Sequence, residues 1–307
     1  MSSPPLLRLS GIGRVAAGRN VVAGLDLALD RGSALGLLGV NGAGKSTTLR
    51  MIAGVLAPTA GRIEIAGRDR RDDPHALGRL LGYLPEQVPL YGELCPEEYL
   101  VFCARLRGLG ARQARRAADM AIERCGLGDV RGRLLGRLSK GFQQRAGIAQ
   151  AIVHDPALLV LDEPASGLDP LQAANIRVLI TELKAERAVI LSTHLLPDVQ
   201  ACCDRVAILH RGRLRYDGPL ESERGFLRVS VEAELDTDTW AKLPGVASAE
   251  RSGNGWRVQL APSATPGELA SAIVSRGYGL VEFGREHAGL EEIFLRIAVE
   301  ADVAEAA

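Results

Sequence analysis

The chain has 307 residues, 47% apolar and 24% charged, a composition that suits a globular protein of one large domain plus a small one, or of two medium domains. Lys+Arg and Asp+Glu both number 37, so there is no global field to draw in nucleic acid or an anionic membrane. No run approaches the roughly 18–20 uninterrupted apolar residues of a membrane span, and the opening MSSPPLLRLSG lacks the basic-then-apolar pattern of a secretory signal.

Residues 24–30 alternate, with Leu25, Leu27 and Leu29 apolar, which predicts a half-buried strand. Residues 34–38 predict a second strand running into a Gly-rich loop, and residues 46–55 a helix closed near Gly54 and Pro58. Short strands are predicted at 61–67 and 80–84. From about 96 to 137 the chain turns Arg- and Ala-rich without alternation, which predicts an all-helical insert. Residues 158–161, 188–191 and 206–209 read as buried strands separated by helices, as in a parallel α/β sheet, and 210–218 as a closing hairpin. Beyond Gly218-Pro219 a different pattern begins: alternation at 227–235, Asn254-Gly255 between strand-like runs, a helix at 266–276, a strand at 279–283 and a helix at 289–298. The tail at 299–307 is small, acidic and expected to fray. The five cysteines show no metal-type spacing and are expected to be free thiols.

The chemistry is concentrated in five strings. Gly39-x-x-x-x-Gly44-Lys45-Ser46 follows a strand and opens a helix, the context of a phosphate-binding loop. There the amides of Asn41, Gly42, Ala43 and Gly44 can curl around phosphate, with the helix N-terminus adding a favourable field. Lys45 should reach the β- and γ-phosphates of ATP, the Ser46 hydroxyl should ligate Mg²⁺, and Thr47 and Thr48 are placed near the α-phosphate. The strand at 158–161 delivers Asp162, suited to hold Mg²⁺ through water, and Glu163, suited to polarise an attacking water.

At this point the chain resembles the ATP-binding cassette family over about residues 5–220. Leu138-Ser139-Lys140-Gly141-Phe142 resembles that family's signature, Ser166-Gly167-Leu168-Asp169 its aspartate turn, and His194 its switch histidine. The resemblance implies a P-loop NTPase core with a mixed sheet, a helical insert and an antiparallel β subdomain. It also implies that Ser139 and Gly141 meet the γ-phosphate held by a second subunit, that Asp169 couples the two sites, and that His194 contacts the γ-phosphate. Residues 1–222 are expected to form the nucleotide-binding domain, with the insert at about 88–137; 223–300 should be a small α+β domain and 301–307 a flexible tail.

Three departures from the family pattern stand out. The glutamine expected after the strand at 80–84 aligns with Glu86, with Gln87 beside it, so either takes the γ-phosphate and Mg²⁺ role. The signature carries Lys140 and Phe142. No aromatic residue precedes Tyr83, and the family's adenine-stacking position falls near Ala16; the missing stack removes roughly 1–3 kcal/mol if single-strand values transfer. The run around Tyr83 to Glu86 with Tyr91 and Tyr99 is similar to ATPases of the ABC-2 exporter branch, including gliding-motility, multidrug and copper-processing types. That resemblance implies an ATP-hydrolysing energy subunit, paired with a second copy and with integral membrane permease subunits, cytoplasmic and peripheral on the inner face of the membrane. Cassette ATPases of the ribosome or nucleic acid need two cassettes or long coiled coils, and neutral charge disfavours them, so no nucleic acid is expected. A P-loop kinase or GTPase would have neither the signature nor the switch histidine.

Overall fold

The computed structural model describes residues 4–220, 222–261, 264–288, 290, 293–294 and 297. The chain divides into two compact units, one reaching Leu220 and one spanning Glu221–Leu295. In the first, the elements run β1 (Leu7–Ala16), β2 (Arg19–Leu29), β3 (Ala34–Leu38), α1 (Lys45–Ala53), β4 (Ala60–Ile65), β5 (Arg68–Asp69) and α2 (Pro74–Arg79). Then come β6 (Leu81–Leu84), α3 (Pro96–Leu106), α4 (Ala111–Arg124), α5 (Lys140–Ile152), β7 (Leu158–Asp162), α6 (Pro170–Lys184), β8 (Ala188–Thr193), α7 (Leu196–Cys202), β9 (Arg205–His210) and β10 (Arg213–Pro219).

Two sheets build this unit. One is antiparallel, in the order β2-β1-β4-β5; the other is six-stranded, in the order β10-β9-β3-β8-β7-β6. Every residue of β3, β7 and β8 is buried. That is why these strands read as continuous apolar runs, as strands covered on both faces must. β3, β6, β7, β8 and β9 are parallel, and β10 closes the edge antiparallel to β9. In this register Leu38 lies opposite Thr193 and Asp162 opposite Ser192. The C-terminal ends of β3, β7 and β8 therefore stand side by side, the place where open α/β sheets bind their ligands.

Between β6 and α5 the described chain forms helices and two 3₁₀ turns, Gly128–Val130 and Leu135–Arg137. The i, i+4 alanines Ala114 and Ala118, with Ala121 and Ile122, give α4 its buried stripe. β1 was not anticipated and β2 starts earlier than expected, because Gly11 and Gly13 and three register shifts in β1 break the alternation that marks a strand. Among the described residues no helix is long and apolar enough to cross a membrane.

The second unit runs β11 (Ser222–Val231), α8 (Thr237–Ala241), β12 (Val246–Ser252), β13 (Gly255–Leu260), α9 (Pro266–Ser275) and β14 (Leu280–Ala288). Its sheet order is β12-β13-β11-β14, all antiparallel, which is the βαββαβ plan of ferredoxin-like domains. Leu227, Val229, Val258, Leu269 and Ile273 pack with Trp240 and Trp256, whose ring centroids are 5.5 Å apart. The hairpin turn falls on Gly253-Asn254, not on Asn254-Gly255. Gly253 takes the left-handed first position at φ +56, while Gly255 pairs with Ser252 and lies too close to the Val229 carbonyl for a side chain. The helix expected at 289–298 falls largely outside the described residues, and the tail at 299–307 wholly outside them.

Candidate functional site

β3 ends at Leu38 and α1 begins at Lys45, so residues 39–44 form the loop between a buried strand and a helix N-terminus. Gly44, at φ +102 and with the Val21 carbonyl 2.7 Å from where a Cβ would sit, can only be glycine. A cleft of about 380 Å³ opens over this loop. Of the residues singled out in the sequence, it is lined by Asn41, Gly42, Ala43, Gly44, Lys45, Ser46, Thr47, Glu86, Glu163, Ser166 and His194.

Lys45 is 6% exposed; its Nζ donates to the Gly39 carbonyl at 2.7 Å and lies 3.7 Å from Glu163 Oε1. Burial lowers its pKa, opposed by the nearby Glu163 and Asp162 carboxylates. Ser46 Oγ donates to Asp162 Oδ1 at 3.0 Å, and Ser192 Oγ to the same oxygen at 2.6 Å. The other Asp162 oxygen is buried with no hydrogen-bond partner among the described residues. Glu163 holds φ +50, a left-handed backbone that costs a non-glycine residue about 1–3 kcal/mol. Its N–H is tied to both the carbonyl and the hydroxyl of Ser192. Its Oε2 stands 2.9 Å from Nδ1 of the half-exposed His194. An ammonium, a carboxylate and an imidazole are thus joined in series at the mouth of an amide-lined cleft. Such a set binds phosphate and moves a proton beside it.

The other expected residues lie apart from the cleft lining. Gly39 contributes its carbonyl to Lys45. Thr48 does not face the cleft: it is buried, and its hydroxyl donates to the Gly44 carbonyl at 2.9 Å inside α1. Gln87 is exposed and does not line the cleft, whereas its neighbour Glu86 does. Ser139 caps α5, accepting from the Phe142 N–H at 3.5 Å, and Gly141 packs against the Gln172 side chain. Asp169 caps α6 through the Gln172 N–H at 2.8 Å. Among the described residues, no group of three or more His, Cys, Asp or Glu side chains is placed to hold a metal.

The ABC transporter family profile matches residues 22–166. The daunorubicin/doxorubicin resistance ATP-binding protein DrrA of Streptomyces peucetius is 33% identical across 95% of this chain and 92% of its own length. The chain belongs to the ABC transporter family. Its fold is similar to that of a solved ATP-binding subunit of an ABC transporter, with TM-score 0.64 and 35% identity over 70% of this chain and 90% of that one. A dimeric ATP-binding cassette, MJ0796, solved in a post-hydrolysis state with ADP and Pi, shares the fold at TM-score 0.64 and 21% identity, over 70% of this chain and 98% of that one.

As an ATP-binding subunit of this family, the chain binds nucleotide and hydrolyses ATP. Val21, on β2, lines the ABC cleft and escaped the sequence reading. Val21 gives no local sign of its place, because the cleft brings it next to Gly44 from another sheet. Ser192 escaped as well, although its position before Thr193 and His194 on a buried strand marks it for the Asp162 side.

Proposed function

We propose that this ATPase is the energy subunit of an ABC-2 type exporter. Two copies close head to tail on ATP, and a separate membrane permease carries the cargo. Residues 1–222 form the nucleotide-binding domain and 223–300 a small accessory domain. The observation that carries the reading is the Lys45–Glu163–His194 series at the P-loop mouth, with contacts of 3.7 and 2.9 Å.

In this reading the amides of residues 41–46 and the Lys45 ammonium hold the β- and γ-phosphates, at the positive end of α1. Phosphate draws Lys45 away from Glu163, and the freed carboxylate orients the attacking water and takes its proton. His194, already against Glu163, steadies that carboxylate and reaches the γ-phosphate. Ser46 Oγ, the unpartnered Asp162 oxygen and Glu86 form a set of hard oxygen donors that fits Mg²⁺. Bound there, the cation would neutralise charge on the phosphate oxygens. Ser139 and Gly141 of a second copy complete the site, presenting the N-terminus of α5 to the γ-phosphate, and Asp169 lies at the turn that joins the two sites.

The permease contact is assigned to the helical insert. Tyr91 and Phe102 are 49% and 40% exposed and stack edge to face at 5.6 Å, with Tyr99 behind them. Aromatic anchors of this kind dominate protein interfaces. Export is supported by the kinship with DrrA, whose name records drug resistance.

Glu163→Gln tests the reading. Loss of the general base should lower kcat by about 10²–10⁴-fold while ATP binding persists, and the variant should accumulate as an ATP-bound dimer in sizing experiments. A variant that stays monomeric with ATP, or turns over at the native rate, would sink the proposal.

A further inference from the structure

His194 stands one residue beyond β8, where the strand ladder that would fix its backbone has ended. Its support comes from the two residues before it. Strand alternation sends Ser192 toward Asp162 and Thr193 to the opposite face. There Thr193 Oγ1 donates to Asp198 Oδ2 at 2.8 Å and accepts from the Leu195 N–H at 3.0 Å. One hydroxyl therefore spans His194 from both sides. With its proton committed to the carboxylate, its lone pair is free for the amide that follows the histidine.

Asp198 is 3% exposed and sits on the first turn of α7, its own N–H donating to the Leu195 carbonyl at 3.2 Å. Its other oxygen, Oδ1, accepts from Arg177 Nε at 2.7 Å. A buried carboxylate needs such a partner, and Arg177 brings it from a different helix. Arg177 lies on α6, about 12 Å along the helix from its N-cap Asp169.

We infer that Thr193, Asp198 and Arg177 are positioning residues that hold His194 against Glu163 and tie it to α6. A displacement of the Asp169 turn then reaches the histidine through Arg177 and Asp198 as a change in its backbone orientation. The inference rests on the role proposed above for His194 in turnover.

A double-mutant cycle separates the two claims. Asp198→Asn keeps the shape of the side chain. Its amide NH₂ must meet either the Thr193 proton or the Arg177 N–H, so one of the two links fails. With wild-type His194, kcat should fall about tenfold with the KM for ATP held within about twofold, since a misplacement remote from the chemistry acts on turnover. In the His194→Ala background the same substitution should change kcat by less than about twofold, because residues acting as a unit are not additive. Arg177→Met should reproduce Asp198→Asn, and Arg177→Lys should restore most of the turnover.

Equal losses from Asp198→Asn in both backgrounds would overturn the inference and leave the role of His194 standing. A loss from Asp198→Asn while His194→Ala turns over at the native rate would overturn both. Native turnover by Asp198→Asn also overturns the inference. Should Asp198→Asn fail to fold, Thr193→Val and Thr193→Ser replace it. The valine, isosteric but without the hydroxyl, should lose turnover where the serine retains it; equal kcat for the two would overturn the inference.

Discussion

At the P-loop, Lys45, Ser46, Asp162, Glu163, Ser192 and His194 are joined by contacts of 2.6 to 3.7 Å and mostly buried. At the start of α5, Ser139 and Lys140 are exposed, and the bond that the Ser139 hydroxyl makes is a long one to its own helix. The first region is preorganised by a sheet that sets three strand ends side by side. The second is a helix N-terminus whose Gly141 packs against Gln172 of α6. In the proposed dimer the first region supplies the phosphate contacts and the general base, and the second adds a transition-state donor from the other copy.

After Glu163→Gln, the largest expected effect tests the second half. Ser139→Arg should lower turnover by about 10²–10³-fold, as removal of a preorganised transition-state donor does. ATP binding by the dilute, monomeric protein should stay within about threefold by titration calorimetry, since Ser139 lies outside the cleft lining. Equal damage to binding and turnover would erase the distinction between the halves.

Lys45→Ala tests the first half. It removes the lysine that lines the cleft and leaves Glu163 without that ion-pair partner. ATP affinity of the monomer should fall by about 10- to 100-fold, the worth of one or two charge-assisted hydrogen bonds at about 1.5–3 kcal/mol. Mixing the two variants then breaks or sharpens the comparison directly. Each Lys45→Ala copy still carries a sound Ser139, and each Ser139→Arg copy a sound Lys45. Random two-fold pairing gives half mixed dimers with one intact site each, so about a quarter of native turnover should return. No recovery above the sum of the separate variants would mean that the halves do not come from different copies.

The preorganised half was almost wholly legible in the sequence because it is written in local strings on buried strands. Gly39 to Thr47, Asp162-Glu163 and His194 each stand at the end of an apolar run, and parallel register brings such ends together. What escaped came from distance or from broken patterns. Val21 reaches the cleft from the other sheet, and the Arg177–Asp198 pair spans 21 residues between two helices. β1 was hidden by Gly11 and Gly13. In the second unit the strands were readable, but α8, five residues long, has no period to show, so the βαββαβ plan did not emerge. The Gly253-Asn254 turn shows the same limit at one residue's scale. The local preference for Asn-Gly was overridden by the packing of Gly255 beneath Val229, a contact no hairpin sequence reveals.

The smallest effect probes the edge of the preorganised half, where no aromatic residue is found among the described lining residues. Ala16 is exposed at the end of β1, beside the hairpin that carries Val21 into the cleft. Ala16→Tyr offers the base a ring. Against stacking values of about 1–3 kcal/mol, an exposed side chain that loses rotamer freedom should retain under about 1 kcal/mol. The KM for ATP should therefore fall about two- to fivefold with kcat unaltered. Stacking reads the face of a base and not its edge, so the KM for GTP should fall by the same factor. On the same ground the native enzyme should prefer ATP over GTP by less than roughly a hundredfold, because a base held without edge contacts is weakly distinguished. A stronger native preference in a competition assay would mean that polar groups around Val21 read the adenine edge, and the preorganised half would then extend beyond the phosphates.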